Sequence, residues 1–439
     1  MMNNEAQMQT TGGCPVGRQR LDLESASLTD PIIQARPNDY YWTMRKEDPV
    51  HYDEKLGMWL VSRYEDIVTL LRDPETYSDK MGYEAQYASG FFDEFKTILE
   101  EEGGGFFPDV IKSDPPEHTR VRRLMEGAFS AHRVKSLEPA ITDIVSRLAD
   151  QVVEKAASGE VIDGVKEFAI PLTIAVICAQ LGIEQYNGTK ISRWSEAVTA
   201  QIGRMQNREQ MIENARQICE LQNFIIAEMK DRQANPREDM ISDLVHATTE
   251  EDGQLTFAEA VSLVRAMIIA GNDTTATAIG NLLFILATQP EIEQQLHDNL
   301  DDDRYVSRFV EELLRYAPPV RGLAKMTTRE TELGGQKLPK GAHILVLYAS
   351  GNDDEAQFNC PREFDLSRNN VAHHVAFGVG IHRCIGASLA RMEIKVAAKE
   401  LLKKARDFKL AIPVEQVAYQ PTVATHQIAE LPMTLARRV

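Results

Sequence analysis

The sequence predicts a mostly α (α+β) fold, a single large helical domain carrying small β-sheets. Helical periodicity runs almost unbroken from Glu117 to Ala287, and strand-like segments occur only towards the two ends. No Pro/Gly/Ser-rich linker and no internal repeat divides the 439 residues. Asp39–Lys46 and Tyr64–Leu71 read as short helices beside strand-like Pro49–Tyr52 and Met58–Ser62. The helical middle breaks near Ala157-Ser158-Gly159, Tyr186-Asn187-Gly188 and Asn235-Pro236, and strand signals return at Leu323–Thr328 and His343–Leu347. The longest helix starts at the capping box Thr256-Phe257-Ala258-Glu259 and can run to Ala287 before Pro290. Its apolar residues lie all round, which marks a buried helix. The polar stretch 1–27 reads as a flexible leader to a domain at 28–439.

Composition narrows the function. A net charge of −18 argues against nucleic acid and anionic lipid as partners. Five scattered cysteines without a C-x-x-C pair encode neither a zinc ribbon nor an iron–sulfur cluster, and fit a reducing cytoplasm. No apolar N-terminal core suggests a signal peptide or membrane anchor.

One segment carries specific chemistry: Phe377-Gly378-Val379-Gly380-Ile381-His382-Arg383-Cys384-Ile385-Gly386. It puts a single cysteine behind a glycine-rich turn and ahead of a helical stretch, Ala387 to Ala405. Gly380 and Gly386 let the backbone bend and approach a flat macrocycle, and the following helix N-terminus stabilises a negative sulfur. Phe377 screens that sulfur from water. Such a thiolate can be the one protein ligand of a haem iron. The F-x-x-G-x-x-x-C-x-G pattern arises by chance in roughly 1 window in 160,000.

A second signal lies within the long helix, at Ala270-Gly271-Asn272-Asp273-Thr274-Thr275. Gly271 costs about 1 kcal/mol against alanine, and Asp273 is expensive to bury unpaired. Thr274 can return its hydroxyl to the Ala270 carbonyl. An acid and an alcohol beside an iron site can relay protons; a kink satisfied by water is the plainer alternative.

These two motifs, with Glu312-Leu313-Leu314-Arg315 between them, occur in the order seen in the cytochrome P-450 family, and the chain resembles its soluble bacterial type from about Asp30 onwards. E-x-x-R alone means little, since many exposed helices carry it. The resemblance implies that Glu312 and Arg315 form a buried structural network with Arg362 or Arg368. It implies haem b held by Cys384, with Phe377 and Gly386 in the binding loop. His118, Arg122, His382 and, where the family usually has arginine, Lys325 would meet the propionates. It further implies a monooxygenase using O2, with Asp273 and Thr274 delivering protons and with electrons from a separate ferredoxin or flavodoxin-type donor.

Arg122, Arg123, Arg383, Arg391, Lys395 and Lys399 cluster around the thiolate-side motifs and suit an acidic donor, unless they merely solvate two helices. Met81–Val110 corresponds to a loop that roofs the substrate pocket in the family. Its aromatics, among them Tyr87, Phe91 and Phe92, suggest an apolar small-molecule substrate, although Phe91 and Phe95 equally suit a short helix on the core. Met267, Ala270, Leu323 and Val423 are further wall candidates. A peroxide-driven haem enzyme and a non-catalytic haem-binding protein are the alternatives. The expected state is a cytoplasmic monomer.

Overall fold

The computed structural model describes residues 17–82, 91–202, 207–249 and 251–438. Ten helices organise it: α1 (Tyr64–Leu71), α2 (Phe92–Glu102), α3 (Glu117–Glu126), α4 (Ala131–Ala157), α5 (Ile170–Leu181), α6 (Gly188–Ile202), α7 (Arg208–Ala234), α8 (Phe257–Thr288), α9 (Asp303–Tyr316) and α10 (Ala387–Lys404). The larger sheet has five strands in the order β1-β2-β6-β5-β3: β1 (Val50–Asp53), β2 (Met58–Val61), β3 (Tyr77–Ser78), β5 (Leu323–Thr327) and β6 (His343–Val346). A three-stranded sheet joins β4 (Ile162–Asp163), β7 (Ala405–Leu410) and β8 (Pro432–Arg437). Strands β2 and β6 run parallel with Leu60 opposite Leu345, and β5 is antiparallel to β6 with Lys325 opposite Ile344. That register fixes where Lys325 enters the site.

The mostly α, α+β expectation holds. The 32 residues of α8 form one continuous helix, started by the reciprocal Thr256–Glu259 box. Two apolar cores meet on it. Val261, Val264 and Ile268 pack with α3, α5, α6 and α7, while Ile279, Leu282 and Leu286 pack with α4, α9, α10 and the smaller sheet. Each such side chain contributes about 1.5–3 kcal/mol by leaving water. Residues 270–275 belong to neither core, so the polar motif sits at the seam between them.

Two readings are resolved by packing. Phe92–Glu102 is helical because Phe95 and Leu99, one turn apart, are buried against Ala215, Ile218 and Cys219 of α7. Of the 1–27 leader, residues 17–27 lie against the domain: Arg18 pairs with Asp353 at 3.1 Å and the Ser27 hydroxyl bonds Asp53 at 2.8 Å. Gly164–Leu181 is the one stretch among the described residues long and apolar enough to cross a membrane, and 67% of it is buried within the protein.

Glu393, on α10, is buried with Oε2 lacking a hydrogen-bond partner, and desolvation pushes its pKa from 4.5 up to about 8. A carboxyl raised on folding is held protonated, so its cost to stability grows as pH rises above the unfolded value, by ~1.4 kcal/mol per unit until about pH 8. Glu393→Gln should therefore stabilise the fold by about 3 kcal/mol at pH 7 and by almost nothing near pH 4.5. Urea unfolding at the two pH values measures this; an equal effect at both contradicts it.

Candidate active site

The cysteine loop is shaped by its glycines and closed by backbone bonds. Gly378 and Gly380 have φ +66° and +76°, and a Cβ on Gly380 would collide with the Leu71 carbonyl. The Cys384 N–H donates to the Phe377 carbonyl at 2.9 Å, bringing both ends of the loop together. Gly386, expected at a tight bend, instead has φ −80°, open to any residue. It caps α10, and its N–H lies at the Cys384 sulfur. The Cys384 side chain is exposed, yet burial among protein groups pushes its thiol pKa up, against the pull of Gly386 N–H, Arg122, Arg391 and Arg383. A sulfur at the floor of a recess meets both descriptions. Phe377 flanks it, its ring under the Arg391 guanidinium at 4.5 Å.

The α8 motif adopts the expected local bond: Thr274 Oγ1 donates to the Ala270 carbonyl at 2.6 Å. Ala270 is exposed in the middle of α8, with Gly271, Asp273 and Thr274 half-buried beside it, so α8 faces open space there. Asp273 points to α6, where the hydroxyls of Ser195 and Thr199, one turn apart, donate to its two oxygens at 2.7 and 2.5 Å. Asn272 Nδ2 adds a third donor at 3.2 Å, while Asn272 Oδ1 accepts from the Thr173 hydroxyl at 2.7 Å. Burial raises the Asp273 pKa above the ordinary carboxylate value despite the Thr199 and Ser195 hydroxyls. Sequence reasoning missed Ser195, Thr199 and Asn272. Hydroxyls spaced four apart among the apolar neighbours Trp194, Ala197 and Val198 were the available signal.

His118, Arg122, Lys325 and His382 converge with the cysteine loop. The His118 and His382 rings lie 4.1 Å apart, and Arg122 is close enough to Cys384 to act on its charge. Desolvation lowers both histidines, His382 to about 3, so both are neutral rings at physiological pH. Their buried His118 Nδ1 and His382 Nε2 have no hydrogen-bond partner among the described residues, and two such orphaned atoms suit an absent polar group. His382 Nε2 does lie 3.1 Å from Asp79 Oδ2, but without hydrogen-bond alignment. Lys325 is not a free cation: buried on β5, it pairs with Asp79, also buried.

Glu312 and Arg315 form a two-point ion pair at 2.7 and 2.8 Å. The third member is Arg368, whose Nε lies 3.4 Å from Glu312. Arg362 instead stacks on Tyr316 at 4.1 Å and bonds its carbonyl. Four cations of the expected basic patch are matched by acids: Arg123 by Glu251 and Asp252, Arg391 by Glu311, and Lys395 and Lys399 by Asp303. The patch is therefore much less positive than its sequence reads.

The wall candidates divide. Tyr87 lies outside the described residues. Phe91 and Phe92 pack on the α2–α7 cluster, Phe92 edge-on to Phe106. Met267 is buried in the α8 core, and Val423 belongs to the apolar cluster that holds Tyr40, Tyr41 and Leu347. Leu323 is half-buried beside the larger sheet. Ala270 alone is exposed.

A helical domain with small sheets, a recessed cysteine loop, an acid–alcohol pair on the central helix and a buried Glu-Arg-Arg network defines the haem-thiolate oxygenase class. A family model for cytochrome P450 matches residues 34–420. The chain is 33% identical over 409 residues to mycinamicin IV hydroxylase/epoxidase of Micromonospora griseorubida, covering 92% of each. It is 30% identical over 406 residues to 6-deoxyerythronolide B hydroxylase of Saccharopolyspora erythraea, covering 90% of this chain and 96% of that one. The solved structure of cytochrome P450 CYP109Q5 from Chondromyces apiculatus superposes with a TM-score of 0.81 at 30% identity, over 94% of this chain and 98% of that one. The chain belongs to the cytochrome P450 family. It is a haem monooxygenase, drawing on O2 and an electron donor.

Proposed function

We propose that Cys384 is the thiolate ligand of haem b, and that the enzyme inserts one oxygen atom of O2 into a C–H bond of an apolar organic substrate. The recess at Cys384 and the open face of α8 at Ala270 are then two walls of one pocket. The carrying observation is the Asp273–Thr274 pair, which sits at the seam between the two apolar clusters packed on α8. Bound haem supplies the O2-activating and oxidising chemistry; the protein supplies position, protons and exclusion of water. Insertion consumes two electrons and two protons and releases the second oxygen as water.

Asp273, its pKa raised by burial and its oxygens held by the Ser195 and Thr199 hydroxyls, is placed to pass protons towards the pocket. Thr274 presents a hydroxyl that can exchange its Ala270 bond for one to the reacting oxygen. The Gly386 N–H and the guanidinium groups of Arg122, Arg391 and Arg383 favour the sulfur anion. The exposed Ala270 offers a methyl group, and no charged side chain, to the substrate. The named relatives, which oxidise mycinamicin IV and 6-deoxyerythronolide B, support an organic substrate of this kind. Electrons come from a separate ferredoxin or flavodoxin-type protein that meets the thiolate side, where Arg383 is exposed, and the expected setting is the cytoplasm.

Thr274→Ala should uncouple the reaction: reductant consumption continues, peroxide accumulates, and product per reductant falls at least tenfold, in line with the loss of a positioned proton donor. Stoichiometry of reductant, peroxide and product tests this, and full coupling in the variant contradicts the proton-relay role.

A further inference from the structure

The edge of the site where His118, His382 and Lys325 converge carries its own anion. Asp79 follows β3 and is buried; it pairs with Lys325 on β5, lies 3.1 Å from His382 Nε2 and 4.0 Å from Lys112 Nζ. A second carboxylate, Asp114, accepts from the Asp79 N–H at 3.0 Å and from the Ser78 hydroxyl at 2.5 Å. The charged side chains at this edge are Lys325, Lys112 and Arg122 against Asp79 and Asp114. Burial works to raise the Asp79 pKa, but Lys325, Lys112 and His382 outweigh it and hold the carboxyl below its ordinary range. The anion is thus permanent at neutral pH. The packing is also tight: a Cβ on Gly82 would lie 2.6 Å from Lys325 Cα, so the strand carrying the lysine has no room to shift.

We propose that Asp79 is a positioning residue for the haem edge: it holds Lys325 in place for a propionate, recruits Lys112 as an added propionate contact, and leaves a fixed negative charge that lowers the reduction potential of the iron. This rests on the haem-binding reading. A propionate arriving here adds a third carboxylate to Asp79 and Asp114, more than Lys325 alone can neutralise, and Lys112 stands ready as a second cation. Negative charge near the iron favours the ferric form. At the effective dielectric of protein sites, one such charge changes the ferrous-to-ferric ratio at a given potential on the order of tenfold.

The test uses the full-length, haem-loaded protein and two readouts, the midpoint potential by spectroelectrochemistry and the rate of haem transfer to excess apomyoglobin. Asp79→Asn should keep the thiolate spectrum and raise the midpoint, and Asp79→Glu should return it towards wild type. Lys112→Met and Lys325→Met should lower the midpoint and release haem several-fold faster. An Asp79→Asn protein with seated haem and an unmoved or lowered midpoint overturns the proposal. Should that variant fail to load, Lys112→Met decides, because Lys112 stands at the partly open rim; an unchanged midpoint and haem-release rate there overturn it equally. Failure of the wild-type chain to bind haem would instead overturn the underlying site reading, so the two failures are distinct.

Discussion

Replacing Glu312 with alanine should destabilise the protein by about 3–5 kcal/mol and strip it of stably bound haem. The Arg315 side chain is fully buried, and the Glu312 carboxylate satisfies two of its donors while accepting the Asp365 N–H at 3.0 Å. The remaining donors of Arg315 reach the carbonyls of Asn352 and Glu363, and Arg368 bonds the carbonyls of Asn359 and Glu363. The network therefore ties α9 to the irregular segment that leads into the cysteine loop. Removing the one anion leaves two buried guanidinium groups uncompensated, a far larger penalty than loss of an exposed pair. Glu312→Gln should lie between, since its amide keeps one acceptor but presents a donor to Arg315. Denaturant unfolding and haem content measure both; a loss under 1 kcal/mol for Glu312→Ala contradicts the network's role.

Cys384→Ala should do the opposite: abolish substrate oxidation and thiolate ligation while leaving the fold within about 1 kcal/mol of wild type. The side chain opens onto a recess and fills no core position. The bond that closes its loop comes from the Cys384 backbone to the Phe377 carbonyl, which alanine keeps. The variant thus separates chemistry from folding, where Glu312→Ala removes both. Parallel measurement of unfolding midpoint and turnover checks the contrast, and a variant that unfolds contradicts the placement of Cys384.

Local features were legible in the sequence, and partnerships across the fold were not. The α8 start was readable because a capping box needs only residues three apart, and the Thr274–Ala270 bond because it spans one turn. The cysteine loop was readable because positive φ at Gly378 and Gly380 demands glycine. Gly386 was misjudged because its φ of −80° is open to any residue, and a Cβ there would make only ordinary contact with the Cys384 sulfur at 3.9 Å. Choosing between Arg362 and Arg368 required the path of a segment without periodicity. The Asp273 clasp joins residues 74 and 78 positions apart, and the Lys325–Asp79 pair spans 246, distances over which sequence spacing carries no contact information. The basic patch failed as a charge count for the same reason, since Asp303 reaches it from α9 and Glu251 from a hairpin turn ahead of α8. Met267 and Val423 both sit in apolar clusters, and a core and a pocket wall draw on the same residue types.

A sulfur anion at position 384 is what the whole site is built to offer a haem iron. A reduced carbon-monoxide difference spectrum of the wild-type protein is the decisive measurement. Thiolate ligation should give a strongly red-shifted Soret band. A band at the position given by a histidine or a neutral thiol, in freshly reduced protein with intact fold, would contradict it.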